Sequence, residues 1–181
     1  MRDQDTEVLV VGAGPVGLLL AILLGRAGRQ VTLIEKWPEI YDRPRAVTMD
    51  HEVARILAAL GIDCDSDPDF ENHKELYYWK NADLQTLQIV DWESLAPSGW
   101  HVTYWFNQPD LERRLMALVL ALPLPFRQTT SALSFCSASG RLVVVHTQLK
   151  STIGLSNPCT TCRVFVPFVS ALSTPKDSQL S

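Results

Sequence analysis

The stretch VLVVGAGPVGLLLAILLGRAGRQVTLIEK, Val8 to Lys36, constrains the fold of this chain more than any other. Glu7–Val11 reads as a buried strand, with four consecutive apolar residues after a polar lead-in. Gly12-Ala13-Gly14-Pro15 then makes a tight turn, and Val16–Ala27 carries the apolar content of a helix that Gly28 stops. Gln30–Glu35 is a second short buried strand. Strand, glycine turn, helix and strand within about thirty residues form a βαβ unit. Its two strands run parallel and its crossover is right-handed. The fold class is therefore α/β.

The glycines follow the spacing Gly12-x-Gly14-x-x-Gly17, directly after a strand and directly opening a helix. Gly12 permits the sharp exit from the strand. Gly14 lacks a side chain, so the backbone can approach a pyrophosphate, and Gly17 lets helix and strand pack closely. The helix start, at Pro15 and Val16, offers unpaired N–H groups and the positive end of a dipole. Glu35 ends the second strand, where a carboxylate can accept hydrogen bonds from both hydroxyls of an adenosine ribose. The same charge repels a 2′-phosphate, which disfavours NADP as the ligand of this site. An adenine dinucleotide is expected here, and the fingerprint alone leaves FAD and NAD both open.

Composition narrows the function classes. The chain has 181 residues, 46% of them hydrophobic, enough for a buried core. A net charge of −4 argues against a general nucleic-acid binder. The longest apolar stretch, Val8–Leu24, is interrupted by three glycines and a proline, so membrane insertion is not expected; it has neither the basic start nor the small-residue cleavage site of a signal peptide, so none is expected. Cys64, Cys136, Cys159 and Cys162 form no disulfide framework, and a cytoplasmic setting is the expectation. Cys159-Thr-Thr-Cys162 has no second pair to complete four ligands, so no metal site is expected.

Further along, His51–Leu60 has apolar residues at one helical face, and Asp63–Asn72 is an acidic loop. Glu75–Trp79 and Leu87–Trp92 read as a hairpin around KNADLQ, followed by a strand at Trp100–Phe106. Pro109–Leu122 is a helix with acids near its start, and Leu142–His146 is a further strand. His51, His73, His101 and His146 are spread along the sequence without ligand spacing; His51 alone follows a segment of interest, RPRAVTM.

Three motifs in order, GAGPVGL with Glu35 and Lys36, DRPRAVTMDHEVARILAALGI and FNQPDLERRL, resemble the FAD-dependent aromatic hydroxylases. Among these single-component flavin monooxygenases the phenol and 3-(3-hydroxyphenyl)propionate hydroxylases are most similar, over about residues 6–122. The resemblance implies a Rossmann-like FAD-binding domain with Gly12, Gly14 and Gly17 near the pyrophosphate and Glu35 on the ribose. Pro15, Val16 and Lys36 complete the cofactor set at that end. It further implies that Arg45, in the PRA position, lies beside the cofactor and that Gln108, in NQPDLE, contacts FAD. A guanidinium supplies a permanent charge and a donor fork, and a primary amide both donates and accepts. The implied activity is hydroxylation of a phenolic or other aromatic compound with NAD(P)H and O2. No catalytic side chain is singled out.

The composition shifts near Arg127. Of the 20 acidic residues 19 lie at or before Glu112, and of the 16 basic ones 12 lie at or before Arg127. Residues 1–128 thus carry −7 and residues 129–181 carry +3, with abundant Ser and Thr in the second part. The family's later DG and GD signatures are absent, since neither dipeptide occurs. We expect an incomplete FAD-binding domain at 1–128 and an irregular, divergent tail at 129–181, in a truncated form of a longer monooxygenase; the alternatives are an FAD-binding fragment without catalytic activity and an NAD-dependent oxidoreductase domain.

Overall fold

The computed structural model describes residues 6–43, 45–138, 142–149, 157–158 and 163–165. The chain divides into two compact units, Met1–Glu39 with Arg114–Ser181, and Ile40–Arg113.

The first unit begins with β1 (Val8–Val11), α1 (Pro15–Arg26) and β2 (Val31–Ile34). β1 and β2 pair in parallel from Val8 with Val31 to Val11 with Ile34, as a βαβ crossover requires. β2 is buried along its whole length because strands flank it on both sides and α1 packs against it. That double burial is why every residue of VTLI is buried, Thr32 included, with no alternation between faces. Leu18, Ala21 and Ile22 of α1 are buried with Leu9, Val10, Leu33 and Ile34 in the sheet.

The chain then builds the second unit. It contains β3 (Thr48–Asp50), α2 (His51–Ala59), β4 (Phe70–Asn72), β5 (Leu76–Lys80), β6 (Thr86–Asp91) and β7 (Thr103–Phe106). α3 (Gln108–Leu120) starts here and ends in the first unit. β3, β7 and β4 form an antiparallel sheet in that order. Asp50 caps α2, its side chain accepting from Glu52 N–H at 3.1 Å and Val53 N–H at 3.0 Å. β5 and β6 form the expected hairpin, whose turn is folded around the Asn81 amide oxygen. Its apolar residues occupy both faces, and Leu76, Tyr78, Trp79, Leu87 and Ile89 are all exposed.

In this unit two strands fall where the sequence shows none. β3 has three residues, TMD, and β4 has three, FEN, with one apolar residue each. Neither is long enough to display an alternation, and both exist through pairing with β7. The acidic loop before β4 is held by its own carboxylates and by Tyr104, which is fully buried and donates to Asp65 at 2.5 Å. The Tyr104 hydroxyl also accepts from His101 N–H at 3.0 Å. Burial, reinforced by the Asp65 hydrogen bond, pushes the Tyr104 phenol well above its ordinary range. As pH rises the unfolded chain therefore ionises this tyrosine first, and stability falls above the ordinary phenol range. Tyr104→Phe is expected to cost about 1–2 kcal/mol at neutral pH and to flatten that alkaline decline. Urea titrations of both proteins at neutral and alkaline pH check it.

Returning to the first unit, the chain adds β8 (Phe126–Arg127), β9 (Thr130–Ala138), β10 (Leu142–Leu149), β11 (Asn157–Pro158) and β12 (Arg163–Phe165). β8 joins β2 and β12 joins β1, both in parallel, giving the order β12-β1-β2-β8. β9, β10 and β11 form an antiparallel sheet. β9 starts at Thr130, just past the point where the composition changes. The side chain of His146 and the pair Cys159/Cys162 lie outside what is described.

Candidate functional site

In the first unit the turn between β1 and α1 depends on its glycines in three different ways. Gly12 has φ of +106°, a conformation that side chains rarely adopt, and its N–H donates to Ile34 O at 2.8 Å, tying the turn to β2. A Cβ on Gly17 would lie 2.0 Å from the Gly12 carbonyl oxygen and 3.5 Å from Val10 Cγ1. Only a bare Cα lets the helix start so close to the strand exit. Gly14 is different. Its backbone is ordinary extended chain, with φ −75° and ψ −179°, and a Cβ there would meet nothing within 4 Å among the described residues. The protein's own packing gives no reason for glycine at 14, so the bare Cα opens onto free space.

The helix start is equally unfilled. Gly14 is the N-cap and offers no side-chain acceptor; Pro15 has no N–H. The first helical hydrogen bond runs from Leu18 N–H to Gly14 O at 2.9 Å, so the N–H groups of Val16 and Gly17 precede it. Both sit at the positive end of α1, the chemistry that holds phosphate oxygens.

Glu35 stands at the end of β2, held on both sides by backbone. Its N–H donates to Arg127 O at 3.0 Å, and its carbonyl accepts from Thr130 N–H at 2.8 Å. Its carboxylate spans the turn: Oε2 accepts from Ala13 N–H at 2.7 Å and Oε1 from Trp37 N–H at 2.9 Å. A carboxylate has about four lone-pair sites, so each oxygen can still accept from a ribose hydroxyl. Lys36 is exposed, its Nζ 5.2 Å from the Trp37 ring centroid, a cation–π contact. Open space at Gly14, free donors at the helix start and a fixed carboxylate at the neighbouring strand end fit an adenine dinucleotide.

The second unit contains a separate polar cluster. Gln108, the first residue of α3, is buried, and its Oε1 accepts from Arg45 N–H at 2.9 Å and Ala46 N–H at 2.8 Å. Its Nε2 donates to Glu112 Oε1 at 2.7 Å, and Arg45 Nη2 lies 3.5 Å from the same oxygen. Glu112 is buried, while the Arg45 side chain is 60% exposed and lies over the Tyr41 ring. Both lone pairs of the Gln108 oxygen are thus used within the protein, leaving one Nε2 hydrogen for any other partner. The structure brings Gln108 and Arg45 together, a contact that the NQPDLE and PRA motifs, read one by one, did not announce. Glu112 is the residue that sequence reasoning passed over. Its signal was the i,i+4 spacing from Gln108, which puts both side chains on one helix face.

His51, His73 and His101 have local roles. His51 Nδ1 lies 3.0 Å from Ser98 Oγ, His73 stacks on Trp105, and His101 Nδ1 bonds Glu93 O. Arg113 pairs with Asp110 on the surface of α3. Among the described residues no group of three His, Cys, Asp or Glu could hold a metal, and no helix is long and apolar enough to cross a membrane.

Residues 5–149 match the family described as FAD binding domain, and the chain belongs to that family. Its cofactor is FAD, which resolves the choice the glycine fingerprint left open. The match continues beyond residue 122, where the sequence resemblance was traced, through β9 and β10. The chain is 36% identical over 120 residues to a probable NADH-specific resorcinol 4-hydroxylase of Rhodococcus jostii (strain RHA1), covering 66% of this chain and 22% of that protein. It is 53% identical over 114 residues to a 3-(3-hydroxy-phenyl)propionate/3-hydroxycinnamic acid hydroxylase of Comamonas testosteroni, covering 61% of this chain and 18% of that one. It thus spans about a fifth of the length of these relatives. The crystal structure of p-nitrophenol 4-monooxygenase from Pseudomonas putida DLL-E4 superposes with a TM-score of 0.68 at 22% identity, over 91% of this chain and 40% of that one. That likeness shows the fold.

Proposed function

We propose that this chain forms the FAD-binding part of a monooxygenase that hydroxylates a phenolic or related aromatic ring, using NAD(P)H and O2. The observation that carries the reading is the bare Cα of Gly14, open to space among the described residues instead of packed against them. The names of the two relatives, both hydroxylases of phenolic compounds, support the substrate class. We place the reaction in the cytoplasm, where NAD(P)H is regenerated.

When bound, FAD supplies electron transfer from the nicotinamide and the activation of oxygen. The chain's own residues bind and orient. Gly12 sets the turn and Gly17 brings the helix start up to it, so that the N–H groups of Val16 and Gly17 can donate to the pyrophosphate. Pro15 pre-sets the first helical turn without adding a donor. Glu35 accepts from the ribose hydroxyls, and Lys36 adds positive charge next to it. In the second unit Arg45 contributes a fixed cation to the cofactor. Gln108 holds the backbone of Arg45 and Ala46 and keeps one N–H for FAD.

Glu35→Ala should weaken FAD binding by roughly 1.5–3 kcal/mol, because charge-assisted hydrogen bonds to the ribose are lost. Flavin fluorescence titrations of the two proteins check this; equal affinities would remove Glu35 from the site. The reading as a whole is tested by incubating the purified chain with excess FAD, desalting, and recording the visible spectrum. Retained flavin absorbance that NAD+ does not displace supports it. Displacement of FAD by equimolar NAD+ would argue for a nicotinamide site instead.

A further inference from the structure

We propose that Glu112 is a positioning residue: its carboxylate fixes the orientation of the Gln108 amide and, through it, the backbone at Arg45 and Ala46. A glutamine side chain can present either its oxygen or its NH2 to a neighbour, and the two ends have nearly the same shape. What decides is the chemistry around it. An ionised carboxylate is an acceptor only, so Glu112 Oε1, 2.7 Å away, takes the NH2 end. The oxygen end is thereby turned toward Arg45 N–H at 2.9 Å and Ala46 N–H at 2.8 Å, two donors that need an acceptor. All partners agree on one orientation, and the pair is buried, so water does not compete freely for these groups.

Glu112 acts on the same segment a second way. Arg45 Nη2 lies 3.5 Å from the oxygen that Gln108 engages, so one buried carboxylate restrains both the backbone and the guanidinium of Arg45. The arrangement joins two segments 62 and 63 residues apart. The significance for cofactor binding rests on the reading of Arg45 and Gln108 given above; the positioning itself does not.

The test uses the full chain and two readouts. Amide hydrogen exchange of Arg45 and Ala46, followed by NMR without FAD, reports the positioning directly. In Glu112→Ala the Gln108 amide is free to turn, and exchange at both positions should quicken about tenfold or more. In Glu112→Gln an amide oxygen still accepts from Gln108 Nε2, so most of the protection should return, whereas a merely space-filling role would be met by Glu112→Leu. Unchanged exchange in Glu112→Ala, or full protection in Glu112→Leu, overturns the proposal. The second readout is FAD affinity in Glu112→Ala, Gln108→Ala and the double variant. Gln108→Ala, which also removes the N–H kept for FAD, should weaken binding more than the about tenfold loss of Glu112→Ala, and the double variant should lose little beyond Gln108→Ala, because Glu112 acts chiefly through the Gln108 contact. Additive losses would mean Glu112 works independently of Gln108 and would overturn it. Lost protection with undiminished FAD affinity would keep Glu112 as a positioning residue and remove Arg45 and Gln108 from the cofactor site.

Discussion

Gly17→Ala is expected to destabilise the first unit by about 3 kcal/mol, at the upper end of what overpacking costs. The new Cβ would stand 2.0 Å from the carbonyl oxygen of Gly12, where contacts of carbon and oxygen do not occur. Neither side can yield cheaply. The obstacle is backbone, and Gly12 is itself pinned by φ of +106° and by its hydrogen bond to Ile34 O. Helix α1 would have to move off β1, opening the contact that buries Leu18 and Ile22 against the sheet. For a chain of this size such a loss lowers the melting temperature on the order of 10 °C. Thermal unfolding followed by circular dichroism measures it directly. A melting temperature matching the parent's would mean that the helix start tolerates a side chain and that the glycine spacing serves no packing role.

The second large effect separates the site from the fold. In Gly14→Val the backbone at φ −75° and ψ −179° already suits a β-branched residue, and the added Cβ meets nothing. The variant should fold as the parent does, within about 1 kcal/mol. Yet the isopropyl group would fill the space through which a pyrophosphate reaches the N–H groups of Val16 and Gly17. FAD affinity is expected to fall by about 100-fold or more, roughly 2.7 kcal/mol. Two glycines three residues apart thus answer to different demands, one to packing and one to a ligand. A Gly14→Val protein that unfolds would place a structural demand there that its surroundings do not show.

Much of this was legible in the sequence, for physical reasons that differ by element. β1, α1 and β2 could be read because each is long enough to carry its burial in its own residues: the apolar VLVV and the largely apolar VTLI around a glycine turn and an apolar helix. The hairpin of β5 and β6 was visible through its polar turn, although its strands bear apolar residues on both faces instead of alternating. β3 and β4 were not visible, since three residues carry no period and their pairing with β7 is decided far away in sequence. The conformation of Glu35 was only half legible. Its place after a strand marked it, but its fixing by Arg127 and Thr130 depends on β8 and β9, where composition suggested a loss of pattern. Gln108 and Arg45 were marked by motif; that Gln108 binds the backbone at 45 and 46, with Glu112 behind it, follows from contacts over some sixty residues that no local pattern encodes.

A fluorescence titration of FAD into the purified chain and its Gly14→Val variant decides whether the turn at Gly14 is an FAD site. The parent should bind saturably, and the variant, its melting temperature preserved, should bind about 100-fold more weakly. Saturation of the folded Gly14→Val protein at the same FAD concentration as the parent would contradict a site at that turn, because the cofactor would then have no need of the open space at that glycine.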